Sequence, residues 1–278
     1  MKCTFTLLLF SFFTIFNTAF AQKEEVTYKF GYTPNSVYEM EITQITNNKI
    51  EYLGPESFLE KLQQQGYENF LYTIDSSFIK SRLTTGKMID NKVSVTMEFL
   101  EEVRSDEKKM SMIGSKIYGS AYKDSMPMMD SILSKDIPEL IKQDILETMN
   151  ITFSQMNVNE RKISVGSVFT EKQKISIPIH DILIEMDLVS TYTVQSITDN
   201  KVYIDMITEY EMVLDLGMLN STDAIGSGTG EIVYDILNTF YISNISEQII
   251  EVIYKTEDFW FKVITNSTHK QKNNIINN

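Results

Sequence analysis

The segment ILIEMDLVSTYTVQSITDNKVYIDM, residues 182–206, decides the fold class of this chain. Apolar side chains alternate with polar ones such as Glu185 and Asp187 before residue 190, and they alternate again after residue 201. A period of two is typical of a β-strand with one buried face. Asp199-Asn200 lies between the two runs, and both residue types tolerate the left-handed backbone of a tight turn. The segment therefore predicts a β-hairpin.

The same phrase of an apolar residue, a polar turn, a lysine and a β-branched residue occurs at residues 45–50 and 89–93. Three such hairpins indicate an antiparallel meander of long strands. Towards the end of the chain, residues 231–237, 239–254 and 259–264 are predicted as three further strands, with a turn at residues 256–258.

Two segments break the β pattern and predict helices. Pro55 to Gln65 begins with a proline suited to a first helical turn and is followed by Gly66. Asp136 to Met149 carries an apolar stripe, and Glu139 completes a capping box with Asp136. The sequence therefore predicts a mainly β fold with minor α content, as a long-stranded antiparallel curved sheet or half-barrel packed with one or two helices.

The predicted organisation is one β-rich domain at residues 22–267. Two lobes, residues 22–130 and 160–267, joined by the helix at 136–149, are the alternative. Residues 105–135 are polar and irregular and predict a long loop. The polar residues 268–278 predict a disordered tail.

Composition limits the classes of function. The chain has 278 residues, of which 42% are hydrophobic and 23% are charged, and these proportions are typical of a globular protein with a sizeable core. The formal net charge of −13 argues against a nucleic-acid partner, because phosphate binding needs clustered Lys and Arg.

The N-terminus has the pattern of a secretory signal peptide over residues 1–21. Lys2 precedes an uncharged apolar run from Thr4 to Phe16, and Ala19-Phe20-Ala21 provides the small residues of a cleavage site. Cleavage is predicted between Ala21 and Gln22, which places the mature protein in the periplasm or outside the cell without a transmembrane anchor. A retained anchor is less favoured, because the run is shorter than the ~20 residues that span a bilayer.

The order of several structural motifs resembles a known family. Ile177-Pro178-Ile179 in a strand, a long hairpin, and the run Gly226 to Gly230 before a Tyr234-Asp235 strand resemble a family of exported β-rich proteins, a domain of unknown function, from Gram-negative bacteria of the Bacteroidota type. The resemblance implies a bacterial, extracytoplasmic protein of the cell envelope without known catalytic residues. In outline, the predicted fold is also similar to the half-barrels that carry lipoproteins in the periplasm.

Two motifs point to ligands, and each also has a structural interpretation. The run Gly226 to Gly230 lacks the Lys of a phosphate loop and leads into a strand, which favours a flexible turn. The methionines of residues 110–129 suggest a Cu(I) site, because thioethers favour that ion. No Cys or His lies near them, so packing or ligand contact is preferred. These methionines are Met110, Met112, Met126, Met128 and Met129.

Catalytic motifs are absent from the sequence. The chain has two histidines, His180 and His269, and neither H-E-x-x-H nor G-x-S-x-G occurs. Acidic pairs on predicted strands are interpreted as solvent-facing positions: Glu98, Glu101, Glu102, Glu185, Asp187, Glu209 and Glu211. We therefore assign no catalytic, cofactor-binding or metal-binding residue and expect no cofactor.

Three functions are compatible with these patterns. The preferred one is an exported, non-enzymatic protein that binds an apolar ligand such as a lipid on its curved sheet. The alternative is a structural or assembly protein of the cell envelope that contacts a protein partner. A hydrolase without a recognised motif is third.

We expect the exported protein to begin at Gln22 when the full chain is produced in a Gram-negative host, because Ala19 and Ala21 suit signal peptidase. Intact mass and N-terminal sequencing of the periplasmic and secreted fractions measure this. A membrane-bound product that retains residues 1–21 contradicts the prediction and supports the anchor.

Overall fold

The computed structural model describes residues 25–105, 111–122, 125–155, 160–179, 182–212, 222–255 and 260–277. The predicted cleavage site at Ala21 and Gln22, His180, Met110 and the turn at 256–258 lie outside these residues. The elements are, in order, β1 (Val26–Tyr28), β2 (Ser36–Leu53), α1 (Glu56–Gln64), β3 (Phe70–Ile89), β4 (Lys92–Arg104), β5 (Lys116–Tyr122), β6 (Met128–Leu133), α2 (Glu139–Gln155), β7 (Arg161–Ile163), β8 (Val168–Ile179), β9 (Ile182–Thr198), β10 (Lys201–Met212), β11 (Thr222–Asp235), β12 (Phe240–Lys255) and β13 (Trp260–Asn277).

Eleven strands form one antiparallel sheet in the order β6-β5-β4-β3-β2-β13-β12-β11-β10-β9-β8. The short strands β1 and β7 pair with each other as a second, two-stranded sheet. Within the described residues, β6 and β8 are not paired with each other, so the large sheet is open. The predicted mainly β fold with long antiparallel strands is confirmed.

Two of the three predicted hairpins are present. Asp90 and Asn91 have φ values of 51° and 61°, and Asp199 and Asn200 have φ values of 52° and 58°. Two successive left-handed residues are the geometry of a type I′ turn, which matches the twist of the flanking strands. These two turns connect β3 to β4 and β9 to β10.

The third predicted hairpin, at residues 45–50, is wrong, because β2 continues straight through it. Asn47 pairs with Asn266 on one side and with Ile74 on the other side. The Asn48 side chain accepts a hydrogen bond from the Thr265 hydroxyl at 2.8 Å. Pairing on both sides satisfies the backbone of β2, so a sequence suited to a turn remains extended.

Both predicted helices are present, with different relations to the sheet. Helix α1 begins after Pro55 and ends before Gly66, whose φ is 84°, but none of its residues is buried. Helix α2 starts three residues later than predicted, because the residue before Pro138 is biased away from the helical conformation. Asp136 therefore does not cap it. Among the described residues, no helix combines the length and apolarity that a bilayer crossing requires.

The long loop predicted at residues 105–135 is wrong over much of its length, because β5 and β6 lie there. Ile117 and Ala121 of β5 and Met129 and Ile132 of β6 are buried, whereas Asp130 and Ser131 between the last two are exposed. Exposed polar positions hid a short period-two pattern.

The disordered tail predicted at residues 268–278 is wrong, because β13 extends to Asn277 in the middle of the sheet. All 18 residues of β13 pair with β2, from Trp260 opposite Leu53 to Asn277 opposite Ser36. Asn273 is only 5% exposed, and its amide donates a 2.7 Å hydrogen bond to the Tyr241 carbonyl. Hydrogen-bonded amides therefore hold a strand whose composition is typical of a tail.

Replacing Asn273 by Ala should lower the free energy of unfolding by about 1–3 kcal/mol, because a buried hydrogen-bonded amide is removed. Its neighbour Asn274 is exposed and faces the opposite side of the sheet, so Asn274→Ala is the matched control with an expected change near zero. Urea unfolding followed by circular dichroism measures both variants. Equal stability of the two variants would contradict a packed β13.

Candidate functional site

Two hydrophobic cores lie on one face of the large sheet, which we call the inner face. The N-terminal core contains Phe30, Tyr32, Tyr38, Met40, Leu83, Val93, Val95, Met112, Ile117, Ala121, Met129, Ile132, Ile137 and Phe240. The C-terminal core contains Tyr28, Ile163, Val194, Val202, Ile204, Ile232 and Tyr234. Tyr241 packs against both cores.

A cavity of about 370 Å³ opens on the inner face where the two cores meet. Its lining is Phe30, Gln44, Met126, Glu171, Gln173, Leu188, Ser190, Tyr192, Met206, Thr208, Tyr210, Ile232, Tyr241, Asn244, Ser246, Gln248, Ser267 and His269. A second cavity of about 330 Å³, lined in part by Thr46, Ser77 and Arg104, shares Gln44 with the first. Together they form a trough across the inner face.

The two ends of the open sheet face each other across this trough. Met126 lies in the hairpin between β5 and β6, at one end of the strand order, and Glu171 lies on β8, at the other end. Both residues line the same cavity. The sheet is therefore curled, although it is not closed.

Helix α2 covers the β6 edge of the sheet. The Asn150 side chain accepts a hydrogen bond from the Met129 N–H at 2.8 Å and donates one to the Met129 carbonyl at 2.9 Å. A neighbouring strand would make the same pair of bonds, so α2 replaces the next strand and protects this edge.

Two adjacent rows of uncharged polar side chains cross the inner face between the cores, and we call them together the polar band. Its members, in register across the strands, are Ser190, Thr208, Gln248, Ser267 and Thr46 in one row, and Ser246, His269, Gln44 and Ser77 in the next row. The Ser190 and Thr208 hydroxyls are 3.3 Å apart, and the Tyr210 hydroxyl donates to Gln248. The band gives the trough a hydrogen-bonding floor.

The glycine run lies within strand β11, so the predicted flexible turn is wrong. Gly226, Gly228 and Gly230 pair with both β10 and β12, and these ladders use the backbone groups that a phosphate loop would offer. A Cβ atom on Gly230 would lie 2.7 Å from Met206 Cε and 2.8 Å from the Ile245 carbonyl. Glycine is required because neighbouring side chains occupy this space.

Aromatic rings form one wall of the cavity. Phe30, Tyr241 and Tyr192 line the cavity, and Tyr28 connects them through ring contacts with Tyr241 at 6.4 Å and with Phe169 at 5.5 Å. The Tyr28 and Tyr241 hydroxyls are 2.5 Å apart. Burial raises the pKa of both phenols well above the usual value, so they remain protonated.

The buried carboxylates beside the trough are paired with arginines. The Glu171 carboxylate lies 2.7 Å from the Arg161 guanidinium, which is 4.4 Å above the Phe169 ring. Burial raises the pKa of Glu171, and the nearby Arg161 opposes that shift. In the second cavity, Arg104 is paired with Glu102. The charges of Glu171 and Glu102 are therefore largely compensated.

His269 lies in the polar band opposite Gln44, although the sequence placed it in a tail. Burial lowers the pKa of His269 below its usual value of 6.5, and a hydrogen bond with Gln271 partly opposes the shift. The imidazole is therefore neutral near pH 7. No sequence signal marked His269, Glu171 or Gln44 as members of one site.

The other predicted site residues are dispersed. Met112 and Met129 are buried in the N-terminal core, Met126 lines the cavity, and Met128 is exposed. Glu98 pairs with Lys116, whereas Glu101, Asp187 and Glu209 are exposed, as expected for the solvent side of strands. The solvent-facing position predicted for Glu102 is wrong, because its side chain is buried and paired with Arg104. The side chains of Glu185 and Glu211 lie outside the described residues. No group of three or more His, Cys, Asp or Glu that could hold a metal ion occurs in the described part of the chain.

A larger groove of about 630 Å³ lies on the opposite, outer face and includes Phe78, Tyr203 and Lys272. Its carboxylate Glu41 is bonded to Lys80 at 2.8 Å. The inner trough is the stronger candidate because it combines buried polar groups, aromatic walls and shifted pKa values.

No protein-family model matches the chain, and a search of the curated proteins gives no significant match. The functional assignment therefore rests on the geometry of the inner trough.

Replacing His269 by Gln should reduce the loss of stability on acidification. In the unmodified protein, the unfolded chain takes up a proton near pH 6.5, while the folded imidazole resists protonation because its pKa is lowered. Stability contributed by neutral His269 is thus complete above pH 6.5 and declines as the pH falls below it, by at most about 1.4 kcal/mol per pH unit.

Urea unfolding between pH 5.5 and 7.5 tests this expectation. All other ionisable groups are the same in the two proteins, so the difference between the two curves isolates His269. Parallel curves for the variant and the unmodified protein would contradict a buried, neutral imidazole.

Proposed function

We propose that this chain is an exported, non-enzymatic binding protein that takes a lipid-like ligand with an apolar chain and a polar end in the inner trough. The observation that carries the proposal is the cavity of about 370 Å³, whose lining combines an aromatic wall with the polar band. Small-molecule sites are usually apolar clefts of roughly 300–1,000 Å³ with a few positioned polar groups.

The shape of the sheet supports binding within the curve. Strands from both halves of the chain line the trough, and Met126 and Glu171 approach from its two ends. An open, curled sheet leaves an entrance between these two ends. In a small closed barrel, by contrast, there is no such entrance and side chains fill the interior. An apolar chain would contact Phe30, Met206 and Tyr241, while the polar end would reach the band.

The hydrogen bonds and ion pairs of the polar groups in and beside the cavity support binding rather than catalysis. Glu171 is paired with Arg161, and the buried Tyr28 and Tyr241 hydroxyls are paired with each other. The hydrogen bond of His269 is to Gln271, which is not a nucleophile. A general base needs a reacting group within reach.

Export to the periplasm or the exterior is part of the proposal and rests on the N-terminal pattern with its cleavage site between Ala21 and Gln22. The resemblance to exported Bacteroidota-type proteins is also part of the proposal. The curled, open sheet supports the similarity to lipid-carrying half-barrels, because it is the form that such a half-barrel would take.

A second candidate function is an envelope assembly protein, and an exposed apolar cluster favours it. This cluster lies next to the connection through α1 and contains Tyr67, Phe70, Tyr72, Ile74 and Trp260, all at least 45% exposed. Contiguous exposed apolar residues often mark an interaction surface. The protein partner would then contact this end of the sheet instead of the trough.

Native mass spectrometry of the exported chain tests the proposal, with ligand retention as the readout. We expect a bound mass of several hundred daltons that organic extraction removes. Ser267→Phe, which adds a ring inside the cavity, should abolish retention, whereas Ser227→Phe on the exposed outer face of β11 should retain it.

If Ser267→Phe fails to fold, Gln44→Phe provides the second blocking variant, because the Gln44 side chain is more exposed. An apo mass from folded, unmodified protein would overturn binding of a tightly held ligand and favour the assembly protein. Equal retention by the cavity and surface variants would place the ligand outside the trough.

A further inference from the structure

We propose that the polar end of the ligand is an uncharged, hydroxyl-rich head group of the sugar type, held by the polar band. This inference rests on the proposed function and assigns the chemistry of the same site. The polar band is its basis, because Ser, Thr and Gln side chains donate and accept hydrogen bonds without a charge.

The lining of the 370 Å³ cavity has little charge to offer. In the lining that the structure describes, Glu171 is the single carboxylate, and no Lys or Arg occurs. Glu171 is already bonded to Arg161 at 2.7 Å, and burial keeps His269 neutral near pH 7 by lowering its pKa. In this cavity, a charged head group would lose hydration without gaining a counter-charge. Arg104, in the second cavity, is already paired with Glu102.

The cavity wall also retains hydrogen-bonding capacity. Asn244 lines the cavity, and its Oδ1 atom is buried without a hydrogen-bond partner among the described residues. Such an acceptor is costly in a protein interior and is satisfied by a hydroxyl donor. Gln44 lies exposed where the two cavities meet, so its amide can donate and accept at once.

The aromatic wall suits the apolar side of a sugar ring. Tyr192 stacks on Phe169 with a centroid distance of 5.0 Å and an interplanar angle of 17°, which fixes one flat surface at the cavity. A pyranose presents C–H groups on its faces and hydroxyls around its rim. One face would contact Tyr192 while the rim hydroxyls reach Ser190 and Gln248.

Calorimetric titration with three amphiphiles of one chain length tests the head group. The probes are octyl glucoside, octyl sulfate and octyltrimethylammonium, each kept below its critical micelle concentration and added to the exported full chain after delipidation. We expect octyl glucoside to bind at least tenfold more tightly than either charged probe. Glucose alone, as a fourth probe, separates a free saccharide from a glycolipid-like ligand.

The outcomes distinguish this inference from the proposed function. Tighter or equal binding of a charged probe overturns the neutral head group and leaves binding of an amphiphile intact. Failure of all three amphiphiles overturns both proposals. Glucose binding as tight as that of octyl glucoside supports the sugar-type head group but overturns the requirement for an apolar chain.

A matched pair of variants places the head group on the polar band. Gln44→Leu removes an amide from the band, and it should weaken octyl glucoside at least fivefold while leaving octyl sulfate unchanged. Gln63→Leu, on the exposed surface of α1, is the control and should change neither affinity. Unchanged octyl glucoside affinity in folded Gln44→Leu contradicts contact with the band.

Discussion

The pairing of β13 with β2 is the interaction on which the rest of the structure depends. β2 follows the N-terminal strand β1, and β13 ends the described chain, yet they are neighbours at the centre of the sheet. Strands β3–β6 extend the sheet on one side, and β8–β12 extend it on the other. Without this pair, each half would expose a long unpaired edge. One register thus joins both halves and brings His269 opposite Gln44.

The middle of β13 is polar on its inner face, which sets the character of the trough. Ser267, His269 and Asn273 occupy inner positions where a typical sheet would carry Val or Ile. Buried polar groups are costly unless they are hydrogen-bonded, and here Asn273 donates to the Tyr241 carbonyl. The cores on both sides supply the apolar burial. The polar band lies between these two cores.

Local features could be predicted from the sequence, and features set by distant partners could not. The turns at Asp90-Asn91 and Asp199-Asn200 are determined by residues that favour a left-handed backbone. The similar residues Asn47-Asn48 remain extended because strands pair on both sides of β2. The glycine run likewise depends on β10 and β12, because their side chains and ladders lie close to it on both sides.

The candidate site depends on strand order, which the sequence pattern did not contain. Glu171 on β8 and His269 on β13 meet in one cavity only because four strands between them curl. One hint was available in Pro178, since proline in a strand indicates an edge, and β8 is the edge strand. The other edge, β6, is occupied by Asn150 of α2. The helix therefore ends the sheet before it closes. Because the curled sheet is open, the polar trough stays accessible, whereas side chains would fill the interior of a small closed barrel.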